Sequence, residues 1–409
     1  MRILFVVPYT PNLIRVRPYN LIRFLAERGH KVTVATLTTG EKEEADARAL
    51  EAYCERVITQ PLSRWRSLWN CLLAVPAQKP LQSAYCWQPA LAQDVEKLLA
   101  AGGEGAPFDV VHVEHLRGAR YGLHLLQITN GRLPIVWDSV DSISYLFRQA
   151  AVQSRSRSGR WMTRLELKRT ERYEAWLLRQ FRHILVTSPM DKRAFRSLAG
   201  DDARRASITV LPNGVDLNYF RPAPNVERDE KTIVVSGKMS YHANVTMVLF
   251  LVREIMPLVW ARRPAVKLTI VGKDPPQELL AVQEQPGVRV TGTVPDIRPY
   301  LQQATISVSP IQYGAGIQNK VLEAMACKTP VIATSPAVSA LAAQPGRDLL
   351  VADDAASFAQ AILALLNDRL RREEVGAAGY QYVISHHDWD KIAGRLAELY
   401  RTAIGQTSF

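Results

Sequence analysis

Cysteine is scarce in this chain of 409 residues: Cys54, Cys71, Cys86 and Cys327 stand far apart, with no CxxC pair and no histidine cluster at zinc-ligand spacing. That pattern excludes a disulfide framework and a structural zinc site, and it predicts a chain made for a reducing cytoplasm. Long apolar runs are lacking too. None reaches the roughly 18 residues a bilayer crossing requires. The opening MRILFVVPYT is too short, and too soon followed by Pro11, Asn12 and Arg15, for a signal peptide; it reads as a first buried strand. Apart from SRSRSGR at 154–160, no repeat or low-complexity tract interrupts the chain.

Acidic residues are in deficit, 39 against 51 Lys and Arg, leaving a formal charge of +12. Such a surplus suits a polyanionic partner: nucleic acid, a nucleotide phosphate or an anionic membrane. No RNA- or DNA-binding motif accompanies it, so nucleic acid is not expected. What the chain does have is apolar substance. At 47% hydrophobic residues it is not disordered, and its length predicts two domains.

Short apolar runs alternate with helix-like stretches from the first residue. RILFVVP (2–8), KVTVATL (31–37), DVVHVEH (109–115), PIVWDSV (134–140) and HILVTSP (183–189) are strand candidates in the first half. The pattern restarts with KTIVVSG (231–237), KLTIVGK (267–273), VRVTGTV (288–294), ATISVSP (304–310) and PVIATSP (330–336). Alternation of this kind predicts two α/β, doubly wound parallel sheets. Residues 210–230, with Asn213-Gly214, several prolines and a charge cluster, form the linker. The first domain is therefore 1–209 and the second 210–387, with a terminal amphipathic helix over 388–409. In such sheets ligands bind beyond the carboxyl ends of the strands, where helix N-termini favour phosphate.

The stretch GAGIQNKVLEAMACKTPVIAT, residues 314–334, follows a strand with a glycine loop and then a helix. Gly314 and Gly316 permit close backbone approach, and Lys320 and Glu323 sit early in the helix. A carboxylate there accepts two hydrogen bonds from a ribose diol, and a lysine with loop N–H groups holds a diphosphate. The plain alternative is a dipole-complementing Glu323 and a solvated Lys320.

Taken in order, PNGVD (212–216), TSPMDKRAF (187–195), SGKMSYHANVTMVLFLVREIMP (236–257), LTIVGK (268–273) and NKVLEAMACKTPVIAT (319–334) resemble the landmarks of retaining, metal-independent glycosyltransferases of family 4. GIQNKVLEAMA is closest to the sugar transferases of bacterial exopolysaccharide systems. The resemblance implies the GT-B fold, two Rossmann-like domains facing across a cleft. It implies a nucleotide-sugar donor on the second domain, a glycan or lipid-linked acceptor on the first, and no cofactor.

Residue by residue, Glu323 matches the second glutamate of the family's E-x7-E motif, the ribose ligand. The first falls on Ala315, which leaves Gly316, Ile317 and Gln318 to hold the sugar. An Arg and a Lys six apart, which contact the diphosphate in the family, are replaced here by Lys238, after Gly237, and Asn244. Lys320 is then the second cation. Where relatives place a histidine near the donor sugar, this chain offers Asp141 and Asp138, either as catalytic carboxylates or as caps of the next helix. His115, at the end of a strand that also carries His112 and Glu114, is an acceptor-side candidate or a packed residue. Arg15 and Arg17 meet an anionic group or lie on the surface. His386 and His387 read as hinge or capping residues.

Between Arg148 and Arg182 ten Lys or Arg face three Glu, with Trp161, Tyr173 and Trp176 interleaved. That helix suits peripheral contact with an anionic membrane on the inner face of the cell, or is simply a solvated basic surface. Two other readings stay open: a non-catalytic nucleotide-sugar or partner-binding subunit on the same fold, for which Ala315 and Asn244 speak, and a nucleotide-sugar 2-epimerase.

Overall fold

The computed structural model describes residues 1–100, 107–153, 157–200, 206–223, 225–313 and 317–406, with the backbone alone of 150–153 and 157–163. It divides into two compact units, Met1–Pro212 with Trp389–Phe409, and Asn213–Asp388.

Unit 1 is built on strands β1 (Arg2–Val7), β2 (Lys31–Thr38), β3 (Arg56–Pro61), β4 (Val110–Glu114), β5 (Ile135–Val140), β6 (His183–Val186) and β7 (Ser207–Val210). They form one parallel sheet in the order β3-β2-β1-β4-β5-β6-β7. The five residues Ile3 to Val7 are all buried, as a central strand covered on both faces requires. Side-chain alternation then sorts them. Leu4 and Val6 join one core with Leu91, Leu116 and Trp137. Ile3, Phe5 and Val7 join the other with Leu21 and Leu25 of the helix Val16–Glu27, and with Trp389, Ile392, Leu396 and Tyr400 of the terminal helix Trp389–Gly405. The strands β3 and β7 escaped the sequence reading. Both are edge strands, and their half-exposed faces blur the apolar signal.

Unit 2 holds β8 (Thr232–Ser236), β9 (Lys267–Val271), β10 (Val288–Val290), β11 (Ile306–Ser309), β12 (Val331–Ala333) and β13 (Leu350–Val351), parallel in the order β10-β9-β8-β11-β12-β13. Two-residue β13 is too short for any pattern to announce. The helical run His242–Trp260 is 19 residues long with mean hydropathy 1.5, apolar enough by length and composition to cross a bilayer. This corrects the count made from apolar runs. Met247, Val248, Leu251, Val252, Ile255, Met256 and Val259 bury it in the unit's own core instead.

Within each sheet the strand order reverses once, between β1 and β4 and between β8 and β11. Loops leaving those neighbours diverge and open a crevice at their carboxyl ends, so the chemistry belongs there.

Candidate functional site

In unit 2 the crevice is framed by the turn after β8, the turn after β9 and the helix Asn319–Ala326. Gly237 and Gly272 hold φ of +155° and +157°. A Cβ on Gly272 would lie 1.7 Å from the Gly237 carbonyl oxygen, so no other residue fits there. A Cβ on Gly237 would lie 2.9 Å from Asn244 Nδ2. Asn244 thus rests directly on this turn: its Nδ2 donates to the Lys238 carbonyl oxygen at 2.9 Å, and its Oδ1 accepts from Lys320 Nζ. Asn244 thereby orients a cation that arrives from 76 residues further along. Lys238 itself is exposed.

Lys320 and Glu323, three apart on the helix, share one face and are both partly buried. Burial pushes the lysine down to about 8, against the pull of Glu323, and lifts the glutamate to about 7, against the pull of Lys320. Among the described residues none donates a hydrogen bond to the Glu323 carboxylate. Gln318 is the N-cap residue of the helix and makes no side-chain cap, which leaves first-turn N–H groups for an incoming acceptor. Ile317 packs against the core. Gly314, Ala315 and Gly316 lie outside the described residues. Gly272 lies within the LTIVGK run and, as a glycine directly after a strand, is a legible signal of this turn, though it is not among the candidates named from sequence. The sequence reading passed over Tyr313, whose hydroxyl meets His242 Nδ1 and Thr246 Oγ1 across the crevice.

In unit 1 the two aspartates part company. Asp138 is fully buried, and Arg17 reaches it with Nη2 at 2.7 Å and Nε at 2.9 Å while Nη1 donates to the Leu211 carbonyl at 3.0 Å. Its other oxygen accepts from Val140 N at 3.1 Å. Asp138 and Arg17, read as a catalytic and an acceptor-side candidate, are instead partners in a buried ion pair: a buried charge requires a countercharge. His112, stacked on Phe5 and bonded to the Tyr400 hydroxyl at 2.8 Å, lies 3.5 Å from the same carboxylate. Burial holds its pKa down at about 4, so it is neutral.

Asp141 remains partly accessible, accepting from Thr187 Oγ1 at 3.0 Å. Burial, with Asp191 nearby, raises it to about 6. Neither aspartate caps the helix Ile143–Gln153. That task falls to Ser142, whose Oγ accepts from Tyr145 N at 3.3 Å, and to Glu174, which accepts from Ile143 N at 2.8 Å and from the Ser144 hydroxyl, while Asp191 fixes Ser142 by accepting from its N at 2.9 Å. The capping alternative for Asp141 is thereby removed. Val140, just before it, holds φ at +67°, a strained conformation for a β-branched residue, at a bulge between β5 and β6.

His115 opens the helix His115–Ile128 at φ +66° and accepts from Arg117 N at 3.2 Å. Burial depresses it to about 3, which makes it a neutral packed ring. Glu114, buried beside it, accepts from the Tyr9 hydroxyl at 2.9 Å and is raised by burial to about 8. Arg15 pairs with Glu43 at 2.9 Å. His387, buried at the end of unit 2, contacts the Asn213 carbonyl at 2.7 Å and the Tyr382 hydroxyl at 3.0 Å, pinning together the segments where the chain enters and leaves that unit.

Comparison with known proteins gives this arrangement a context. Residues 15–219 match the profile of Glycosyltransferase Family 4. Residues 230–368 match that of Glycosyl transferases group 1. A phosphatidyl-myo-inositol mannosyltransferase of Mycolicibacterium smegmatis is 25% identical over 334 residues, 78% of this chain and 76% of the relative. Sucrose-phosphate synthase from Thermosynechococcus elongatus has the same fold at 18% identity and a TM-score of 0.69, with 99% of this chain and 100% of the other covered. The Anabaena protein HepE, solved in complex with UDP-glucose, superposes with a TM-score of 0.66 at 15% identity, covering 98% and 100%.

Proposed function

The chain belongs to Glycosyltransferase Family 4, and from that premise we propose that it moves a sugar from a UDP- or GDP-sugar to a glycan or lipid-linked acceptor, with retention at the anomeric carbon and without a metal. The observation that carries this reading is the half-buried Lys320 and Glu323 pair at the start of the helix after β11. Such groups are costly to bury and call for a ligand with both a positive and a negative need: a diol that donates and a diphosphate that accepts.

In this reading Glu323 accepts from the ribose hydroxyls. Lys320, held by Asn244, and Lys238 meet the diphosphate together with N–H groups of the helix N-terminus, while the glycines of the two turns leave room for its close approach. Stabilising the departing diphosphate is the largest electrostatic task of the transfer, and fixed cations and N–H dipoles perform it with no reorganisation. The acceptor hydroxyl attacks from the face the diphosphate leaves, and a diphosphate oxygen takes its proton. Asp141, the more accessible of the two aspartates at the end of β5, is the acceptor-side carboxylate that orients the acceptor hydroxyl, and Gly237, Gly272 and Asn244 are positioning residues for the donor. A lipid-linked acceptor is supported by the name of the mycobacterial relative.

The test is product analysis with UDP- and GDP-sugars in EDTA, with and without glycan and lipid acceptors, reading anomeric configuration by NMR. Transfer with a retained anomer in EDTA is expected. Donor isomerisation without acceptor would point to an epimerase, and binding without turnover to a non-catalytic subunit.

A further inference from the structure

The helix Arg64–Ala74 is built inside out. Its small or polar residues Ser67, Asn70 and Ala74 are the ones buried against unit 1, Asn70 donating to the Trp87 carbonyl at 2.8 Å. Its large apolar residues face water: Trp65 is 82% exposed, Leu72 63% and Trp69 58%, with Leu68, Leu73 and Val75 beside them. At about 100° per residue these six span roughly 160° of the helix surface, and Arg64 and Arg66 fall on its two margins. Folding alone would turn such a stripe inward, so its outward face is made for another apolar phase.

Charge identifies that phase. Residues 62–93 contain Arg64, Arg66 and Lys79 and no Asp or Glu at all. Alongside runs the helix Arg157–Gln180, joined to this segment through Arg172 Nη1 and the Gln78 side chain at 3.4 Å and through Glu166 and Leu81 N at 3.1 Å. Its exposed Arg164, Lys168 and Arg172 recur every fourth position in one basic line, which ends at the exposed Trp176. We propose that the helix Arg64–Ala74 lies in the surface of an anionic lipid bilayer, with Trp65, Trp69 and Leu72 in the headgroup–acyl boundary and the flanking arginines on the phosphates. Tryptophan at that depth and arginine at the apolar margin are what an interfacial helix requires. The basic helix that the sequence singled out serves as the electrostatic flank of this insertion, not as the inserted element. The inference is independent of which sugar is transferred.

The test is flotation of the full chain with vesicles of phosphatidylcholine, with and without phosphatidylglycerol, together with tryptophan emission. The intact protein is expected to float with the phosphatidylglycerol vesicles, to shift its emission to the blue, and to release as salt rises. Trp65→Ser with Trp69→Ser and Leu72→Ser should weaken partitioning by at least about tenfold. Arg164→Glu with Lys168→Glu and Arg172→Glu should abolish the preference for phosphatidylglycerol. Thermal melting and nucleotide titration, unchanged in both variants, establish that they are folded. Failure of the intact protein to float, or flotation of the serine variant to the same extent, overturns the proposal. A dimer in light scattering that the serine variant converts to monomer, with no vesicle binding, would assign the stripe to a second copy and equally overturn it.

Discussion

Replacing Glu323 with Gln should make the ligand-free protein more stable and the donor complex weaker. In the folded chain burial raises this carboxyl from 4.5 to about 7. The unfolded chain therefore ionises it first as pH rises. The carboxyl's favourable contribution to folding is complete below about 4.5 and is lost as pH climbs through about 7. At about 1.4 kcal/mol per pH unit the lift sets an upper bound near 3 kcal/mol, and solvent reaching a half-buried side chain reduces it to about 1–2 kcal/mol. Glutamine carries no such cost. Urea denaturation at pH 8 should find Glu323→Gln more stable than the parent by that amount, and denaturation at pH 4.5 should find the two alike. Calorimetric titration with nucleotide diphosphate should show the reverse order, affinity falling by about 1.5–3 kcal/mol, or roughly tenfold to 150-fold, because charge-assisted bonds to the ribose are lost. A variant that is less stable at pH 8 and binds nucleotide as well as the parent would refute the reasoning and leave Glu323 a structural residue.

Affinity for nucleotide diphosphate should peak between about pH 7 and 8, weakening below as Glu323 takes up a proton and above as Lys320, lowered to about 8, gives one up; titration across pH 6 to 9.5 reads both limbs. Asp141→Asn should lower kcat/KM for the acceptor by roughly tenfold to 150-fold with donor Kd unchanged, because a charge-assisted hydrogen bond that orients the acceptor hydroxyl is lost. The parent's rate should fall below about pH 6, where Asp141 becomes protonated; an unaltered rate in the variant removes Asp141 from the site. Arg17→Met strands the buried Asp138 carboxylate and should cost about 3–5 kcal/mol in denaturant unfolding, whereas a normal melt with a raised acceptor KM would restore Arg17 to acceptor binding. Gly272→Ala should lose donor binding and at least about 2 kcal/mol of stability, since the added methyl meets the Gly237 carbonyl.

The central strands of both sheets were legible because burial on two faces writes an uninterrupted apolar run, as at Ile3 to Val7. The edge strands β3 and β7 were not, because one face and one hydrogen-bonding edge remain wet and the composition dilutes accordingly. That Lys320 and Glu323 lie three apart on one helix face, and that the chain turns at Gly237, could be read from local spacing and from the resemblance. The contact between Asn244 and Lys320 could not, because it joins positions 76 apart through tertiary packing. The same limit applies to Asp138 and Asp141, two aspartates three apart with equal claims in sequence. Only the approach of Arg17, 121 residues away, distinguishes them. The inverted helix at Arg64–Ala74 carried a periodic apolar pattern, but periodicity does not say which face is buried; the neighbouring Asn70 and Ser67 do.

The most direct test of the account is calorimetric titration of the purified protein with UDP, GDP and their sugar conjugates in EDTA, repeated with Lys320→Met. The account predicts micromolar binding of one nucleotide without metal, lost in the variant. Absence of binding to any of them, or binding that survives the loss of Lys320 undiminished, would contradict it.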